Sequence, residues 1–192
     1  MFTTNYLESS RKQFEYYKLL GEKAISQLGD EDLLWQFNPE SNSISIMVKH
    51  LVGNMLSRWT NFLTEDGEKP WRQRDEEFEA NINNKTALLE EWEKGWSCLF
   101  EALDSIDEGN FDQLVYIRNQ GHSITEAIQR QLAHYAYHVG QIVFTARMVK
   151  GSEWQSLSIP KNASAAYNEE KFAQEKKRQH FSDEYLKGGE GK

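Results

Sequence analysis

Two of the five histidines, His134 and His138, are four residues apart within a long stretch of helical composition. A four-residue step on an α-helix is about 400° of rotation and about 6 Å of rise, so both imidazoles project from one face and can meet a single ion. At about 100° per residue, Ile124, Ile128, Leu132, Tyr135, Val139, Ile142, Val143, Ala146 and Val149 gather on one arc, the core face. His138 sits at the edge of that arc and His134 about 40° further toward the polar side, where a cleft between helices would open. A zinc-type catalytic site takes three protein ligands and keeps a position open. The third donor must therefore come from elsewhere, and His50 is the best candidate because it lies in a second helical segment. Periodicity does not force that choice. Ile44, Val48, Leu51, Met55, Trp59 and Phe62 mark the apolar side of this segment, whereas His50 groups with Ser43, Asn54, Ser57 and Asn61. A surface histidine is the competing reading.

Several neighbours could serve such a site, each against a plainer role. Asn54 follows His50 by one turn and could orient a metal-bound water, or be a solvated polar side chain. Arg58 and Arg130 flank the histidine stretches and could clamp a substrate anion, though surface ion pairs are the commoner fate of arginines. Gln141, three residues past His138, could orient that ring or make a helix-face contact. Tyr135 faces the core by the projection, so packing is its expected role. His122 reads as a loop histidine, and His180 lies in a charged tail beside Lys176, Lys177 and Arg178. Cys98, among apolar neighbours, reads as a buried inert thiol.

Four helices must position these groups. Apolar positions recur at three- and four-residue steps over 4–28, 44–64, 83–106 and 124–150. Pro39, Pro70 and Pro160 fall between these stretches, where prolines interrupt helices least. Ser43 is a candidate N-cap for the second helix, and Ser123 with Glu126 has capping-box spacing for the fourth. The segment 71–81 is polar and irregular, with room for a turn of helix. Residues 111–118 read as extended, with a small hairpin through Asn119-Gln-Gly121. The expected fold is all-α, a four-helix bundle over 1–160 with a short insert between the third and fourth helices. A charged extension follows over 161–192, in which 163–185 forms an exposed amphipathic helix or a partner-binding arm and the last residues are mobile.

Composition narrows the function classes. The 192 residues carry 22 Lys+Arg against 30 Asp+Glu, a formal charge of −8, which argues against a general nucleic-acid binder. A single cysteine excludes an internal disulfide and multi-cysteine zinc sites. The absence of a long uncharged apolar run or a signal-peptide pattern leads to the expectation of a cytoplasmic protein without membrane contact. No Gly-rich phosphate loop or Gly-x-Ser-x-Gly elbow is present.

The segments Ser45-Ile-Met-Val-Lys-His50-Leu-Val-Gly-Asn54 and Arg130-Gln-Leu-Ala-His134-Tyr-Ala-Tyr-His138-Val-Gly-Gln141 resemble the DinB/YfiT-like superfamily, regarded as metalloenzymes, and more closely its bacterial domain-of-unknown-function branch. Leu157-Ser-Ile-Pro160-Lys-Asn-Ala-Ser164-Ala-Ala-Tyr-Asn168 is similar to that branch's closing motif, except that Lys161-Asn162 stands where the branch has Arg-Gly. The resemblance spans residues 5–168. It implies a bundle, often dimeric, that binds one divalent metal through His50, His134 and His138, with zinc or nickel the first choices. The chemistry implied is a bound hydroxide in a hydrolysis, or a bound thiolate in transfer of a group to a low-molecular-weight thiol, on a small-molecule substrate. The alternative is a non-catalytic, metal-stabilised bundle acting as a stress-associated binding or oligomerisation module.

Overall fold

The computed structural model describes residues 2–186. Four long helices, α1 (Phe2–Ser26), α2 (Ile44–Trp59), α3 (Lys85–Asp104) and α4 (Ile124–Lys150), form the body. A hairpin of β1 (Leu114–Ile117) and β2 (Gln120–Ser123) stands before α4, and two short helices, α5 (Ser164–Phe172) and α6 (Asp183–Leu186), follow. Helix α2 packs chiefly on α3 and α1 chiefly on α4, while α2–α4 and α1–α3 contacts close the square. Sequence neighbours α1 and α2, and likewise α3 and α4, therefore sit diagonally. The long connections after α1 and α3 cross those diagonals, and the second carries the hairpin.

The helix starts follow local chemistry. The Ser43 hydroxyl accepts from Ile46 N–H, Asn84 accepts from Ala87 N–H, and Ser123 with Glu126 forms the full capping box. Helix α4 stops at Gly151, whose φ of +52° suits a residue without Cβ. Helix α2 ends at Trp59, short of the expected residue 64. Thr60 turns to extended backbone and Asn61 takes φ +49°, which sends the chain back across α2. The hairpin turn is Arg118-Asn119, with φ of +55° and +60°, the two-residue form that matches strand twist. Two backbone N–H groups of this turn donate to the Asp66 carboxylate at 2.8 Å, which offsets the strain of a non-glycine pair there.

The core is an aromatic layer sheathed in aliphatic side chains. Phe14, Trp59, Trp96 and Tyr135, one from each long helix, are 2% exposed or less, and Phe14 lies 5.9–6.3 Å from the other three rings. Close helix approach depends on glycine. A Cβ on Gly95 would stand 3.2 Å from the Val52 backbone, and one on Gly21 2.6 Å from the Trp92 ring. The expected core positions of α4 hold: Ile124, Ile128, Tyr135, Val139, Ile142 and Ala146 are buried, and Leu132, Val143 and Val149 pack partly buried against them.

In the expected amphipathic stretch of 163–185 the chain forms α5, which is without buried residues, and a return segment that docks on α1. The Tyr16 ring lies 5.2 Å from both Phe181 and Tyr185, and Lys12 pairs with Asp183 at 3.0 Å. Asn162, where the resembling branch has glycine, takes φ +71°, a conformation that asparagine tolerates next best. The expected mobility of the last residues concerns 187–192, which lie outside the described residues. No helix among the described residues is long and apolar enough to cross a membrane.

Candidate metal centre

Helices α2 and α4 bring His50, His134 and His138 together. Ring centroids are 5.5 Å apart for His50–His134, 5.0 Å for His50–His138 and 4.8 Å for His134–His138. One ligand atom from each lies within 4.8 Å of the others, a grouping that could hold a metal ion. The competing surface reading of His50 is overturned, since the residue is only 7% exposed. Its helix face is polar yet covered, because the chain after Thr60 folds back over it.

Hydrogen bonds set which ring nitrogen each histidine offers. Nδ1 of His50 lies 2.9 Å from Glu77 Oε2, and Nδ1 of His138 lies 2.8 Å from Gln141 Oε1. Both partners are acceptors, so Nδ1 carries the proton and Nε2 keeps its lone pair for an ion. The rings on α4 are held neutral. Burial, then the neighbouring His138 and His50, pulls His134 down to about 4, and burial followed by His50 lowers His138. Neutral imidazole is the form that ligates, so this donor set fits a divalent ion.

The Glu77 carboxylate is itself locked. Arg72 donates through Nε to Oε1 at 2.8 Å and through a terminal nitrogen to Oε2 at 3.0 Å. Burial pushes the Glu77 carboxyl up, but the hydrogen bonds of His50 and Arg72 outweigh it and hold it below the usual range. Space for this carboxylate comes from Gly53, one turn along α2 from His50. A Cβ there would stand 2.3 Å from Glu77 Oε1. Phe78, next in the same 3-10 turn (Asp75–Phe78), lies 5.3 Å from the His50 ring.

The other expected site residues divide. Asn54 is buried, not solvated, and its Oδ1 accepts from Tyr135 O–H at 3.0 Å. Tyr135 in turn accepts from Trp59 Nε1 at 3.0 Å, so this core tyrosine also fixes a polar group at the site. Gln141 is beside His138, with its Oε1 as the acceptor at 2.8 Å from Nδ1. Arg58 is ion-paired, as arginines commonly are, yet is 7% exposed: it donates to the Gly67 carbonyl and to Glu68 Oε2 at 3.1 Å. Arg130 is exposed beside His122, with 3.4 Å between their nitrogens. His122 stays outside the triad, and His180 contacts Ser9 and Ser182 far from it. Cys98 is half-buried near Thr60, and burial raises its thiol pKa, consistent with an inert role.

Sequence reasoning did not find Glu77, Arg72 or Gly53. The 71–81 segment does hold the expected helical turn, but Glu76, Glu77 and Glu79 are indistinguishable by type. Only the covering of α2 selects one. Gly53 inside a helical pattern was the available signal, because an interior glycine costs about 1 kcal/mol against alanine and calls for a packing reason.

No curated protein and no solved structure matches the chain. Residues 1–163 match the family described as "Protein of unknown function (DUF1572)". With most of its length matched and a histidine grouping able to hold a metal at the α2–α4 junction, the chain belongs to the DUF1572 family.

Proposed function

We propose that the protein is a metal-dependent enzyme in which one divalent ion, held by His50, His134 and His138, activates a small nucleophile. That nucleophile is water in a hydrolysis, or a low-molecular-weight thiol in a group transfer to or from a small-molecule substrate. The observation that carries the proposal is the donor geometry: three imidazoles from two helices whose ligating atoms lie within 4.8 Å, two with Nδ1 already engaged. The resemblance to the DinB/YfiT-like superfamily supports the same three donors, and brings with it a homodimer that light scattering would read directly. Zinc and nickel both suit imidazole ligands.

When bound, such an ion supplies Lewis-acid activation of the nucleophile near neutral pH. The chain's own residues do the rest. Glu77 and Gln141 accept Nδ1 protons and keep the Nε2 lone pairs of His50 and His138 aimed inward. Asn54 has its oxygen committed to Tyr135, so what it offers a ligand is its N–H₂ group.

A purely structural ion is the rival role. Structural zinc sites are closed by four protein ligands, whereas the grouping among the described residues has three, at the rim of a core that already packs without it. Elemental analysis of native protein and of His134→Ala tests the site: about one equivalent in the first and near none in the second is expected. Equal occupancy overturns the site. Chelation should leave the far-UV spectrum intact and lower the melting temperature only modestly, whereas unfolding on chelation would favour the structural role. Turnover is then sought on zinc- and nickel-loaded protein, with a generic ester and with a reduced thiol plus an electrophile. None with either metal would defeat the enzymatic half.

A further inference from the structure

A cavity of about 280 Å³ opens directly beside His50 and His134, and its walls include five arginines: Arg58, Arg72, Arg74, Arg118 and Arg130. No carboxylate lines it. This is unexpected in a chain of net charge −8. The five guanidinium groups come from α2, the covering segment, the hairpin turn and α4, so tertiary structure gathers them from four separate places.

Their mutual repulsion is only partly offset. Glu68 pairs with Arg58 at 3.1 Å and with Arg118 at 3.0 Å, and Glu77 pairs with Arg72 at 2.8 Å. Asp66 is engaged by backbone N–H groups of the hairpin turn. Even with all three carboxylates counted, positive charge is in excess. Arg74 lies over the Phe78 ring and Arg130 beside a histidine, so neither is in a carboxylate pair among the interactions described. Two buried polar atoms of the lining residues also lack a protein partner, Arg58 Nε and Gln131 Oε1.

We propose that this cavity is the substrate pocket of the metal centre and that it takes a small molecule bearing a multiply charged oxyanion, a phosphate monoester or a dicarboxylate. The proposal deepens the metal-enzyme reading and rests on it for the word substrate, but the anion site stands on the arginines alone. Guanidinium forks match phosphate and carboxylate oxygens equally well. Arg74 and Arg130, both exposed, reach from the rim to the anion, and Arg58, Arg72 and Arg118 add positive charge around it. The reacting part of the molecule is thereby turned toward the histidines.

The test is calorimetric titration of inorganic phosphate, succinate and acetate at low salt into metal-free protein, zinc-loaded protein and His134→Ala. Phosphate or succinate should bind all three, more weakly as salt rises, and acetate should bind far less. The tighter of the two dianions names the substrate's charged group. The double variant Arg74→Ala/Arg130→Ala, whose sites are exposed and whose fold should be intact by circular dichroism, should lose at least about tenfold in affinity, two charge-assisted contacts being removed. It should keep its zinc. Arg147→Ala, an exposed arginine at the far end of α4, should bind as the native protein does. Absence of dianion binding to metal-free protein, equal binding of acetate, or an unchanged affinity in the double variant overturns the anion pocket. Failure of the metal centre shows separately, as absent zinc uptake with anion binding retained.

Discussion

Helices α2 and α4 both deliver histidines to one point, yet they are buried in different ways. Helix α4 is one-sided: Tyr135, Val139 and Ile142 are in the core, whereas Tyr137 and Phe144 on the other face are 63% and 65% exposed. Helix α2 is buried nearly all round, with His50, Asn54, Ser57 and Arg58 as enclosed as Leu51 and Met55. Its apolar face meets the bundle and its polar face meets the chain between Asn61 and Ile82. That second cover is held by polar contacts. Ser57 Oγ donates to the Gly67 carbonyl at 2.7 Å, Ser45 Oγ donates to the Ile82 carbonyl at 2.7 Å, and Arg72 locks onto Glu77. One face of α2 holds the fold and the other holds the site, so damage to the two should be separable.

The largest effect is expected on the apolar face. Leu51→Ala, at a position with no exposure, should cost about 2–5 kcal/mol in urea unfolding, with the lost transfer energy and the cavity both counted. If stability barely changes, the two faces do not divide their labour as described. On the polar face Gly53→Ala sharpens the contrast. Its Cβ would collide with the end of the Glu77 side chain, which is buried and tied to His50 and Arg72, so making room for it breaks those contacts. Stability should fall by about 1–3 kcal/mol as the buried network opens, and loss of the His50–Glu77 hydrogen bond should weaken zinc binding about 10–100-fold in a competition titration with a chelating dye. Unchanged zinc affinity would remove Glu77 from its positioning role.

A smaller change tests α4, whose start is fixed by local chemistry alone. Ser123→Ala removes the capping hydroxyl and should cost about 1 kcal/mol, without altering zinc stoichiometry. A loss of metal would mean that the cap, not the core face, sets the histidine register. The mildest perturbation is acid. Burial pushes the Glu68 carboxyl up, but Arg58, Arg72 and Arg118 outweigh it and hold it below the usual value. A depressed carboxylate stabilises fully above its unfolded pKa of about 4.3 and loses that contribution as pH falls through the folded value. The protection of amides in the hairpin turn and at Gly67, measured against the intrinsic exchange rate at each pH, should therefore fall below about pH 4 before the helices of the bundle open. Simultaneous loosening of helices and hairpin would show that Glu68 is not the tie between them.

How much of this was legible depended on whether a pattern is local. His134 and His138 are joined by helix geometry alone, so their pairing needed no tertiary information. The core faces of α1, α3 and α4 follow from apolar periodicity, and the caps at Ser43 and Ser123 from residue type and spacing. The two-strand hairpin was visible because asparagine and glycine cluster between short apolar runs. The environment of α2 was not visible, because periodicity reports only that one face is polar. Whether water or a folded-back loop covers that face is decided by the loop. Asn54 and His50 were both open to a solvated reading for this reason, and the end of α2 at Trp59 was missed because the apolar pattern runs on to Phe62, which is buried after the helix has stopped.

The sequence by itself determined four amphipathic helices, their starts, and a histidine pair on one of them that could share an ion, since each of these rests on interactions spanning a few residues. Only the tertiary structure decided that His50 joins the pair, that Glu77 rather than its acidic neighbours supports it, and that five arginines meet in an acidic chain. Those outcomes require residues far apart in sequence to meet where α2 and α4 pack side by side and the chain after Thr60 folds over them. The energy that brings them together comes from burying aromatic side chains on the opposite faces of the same helices.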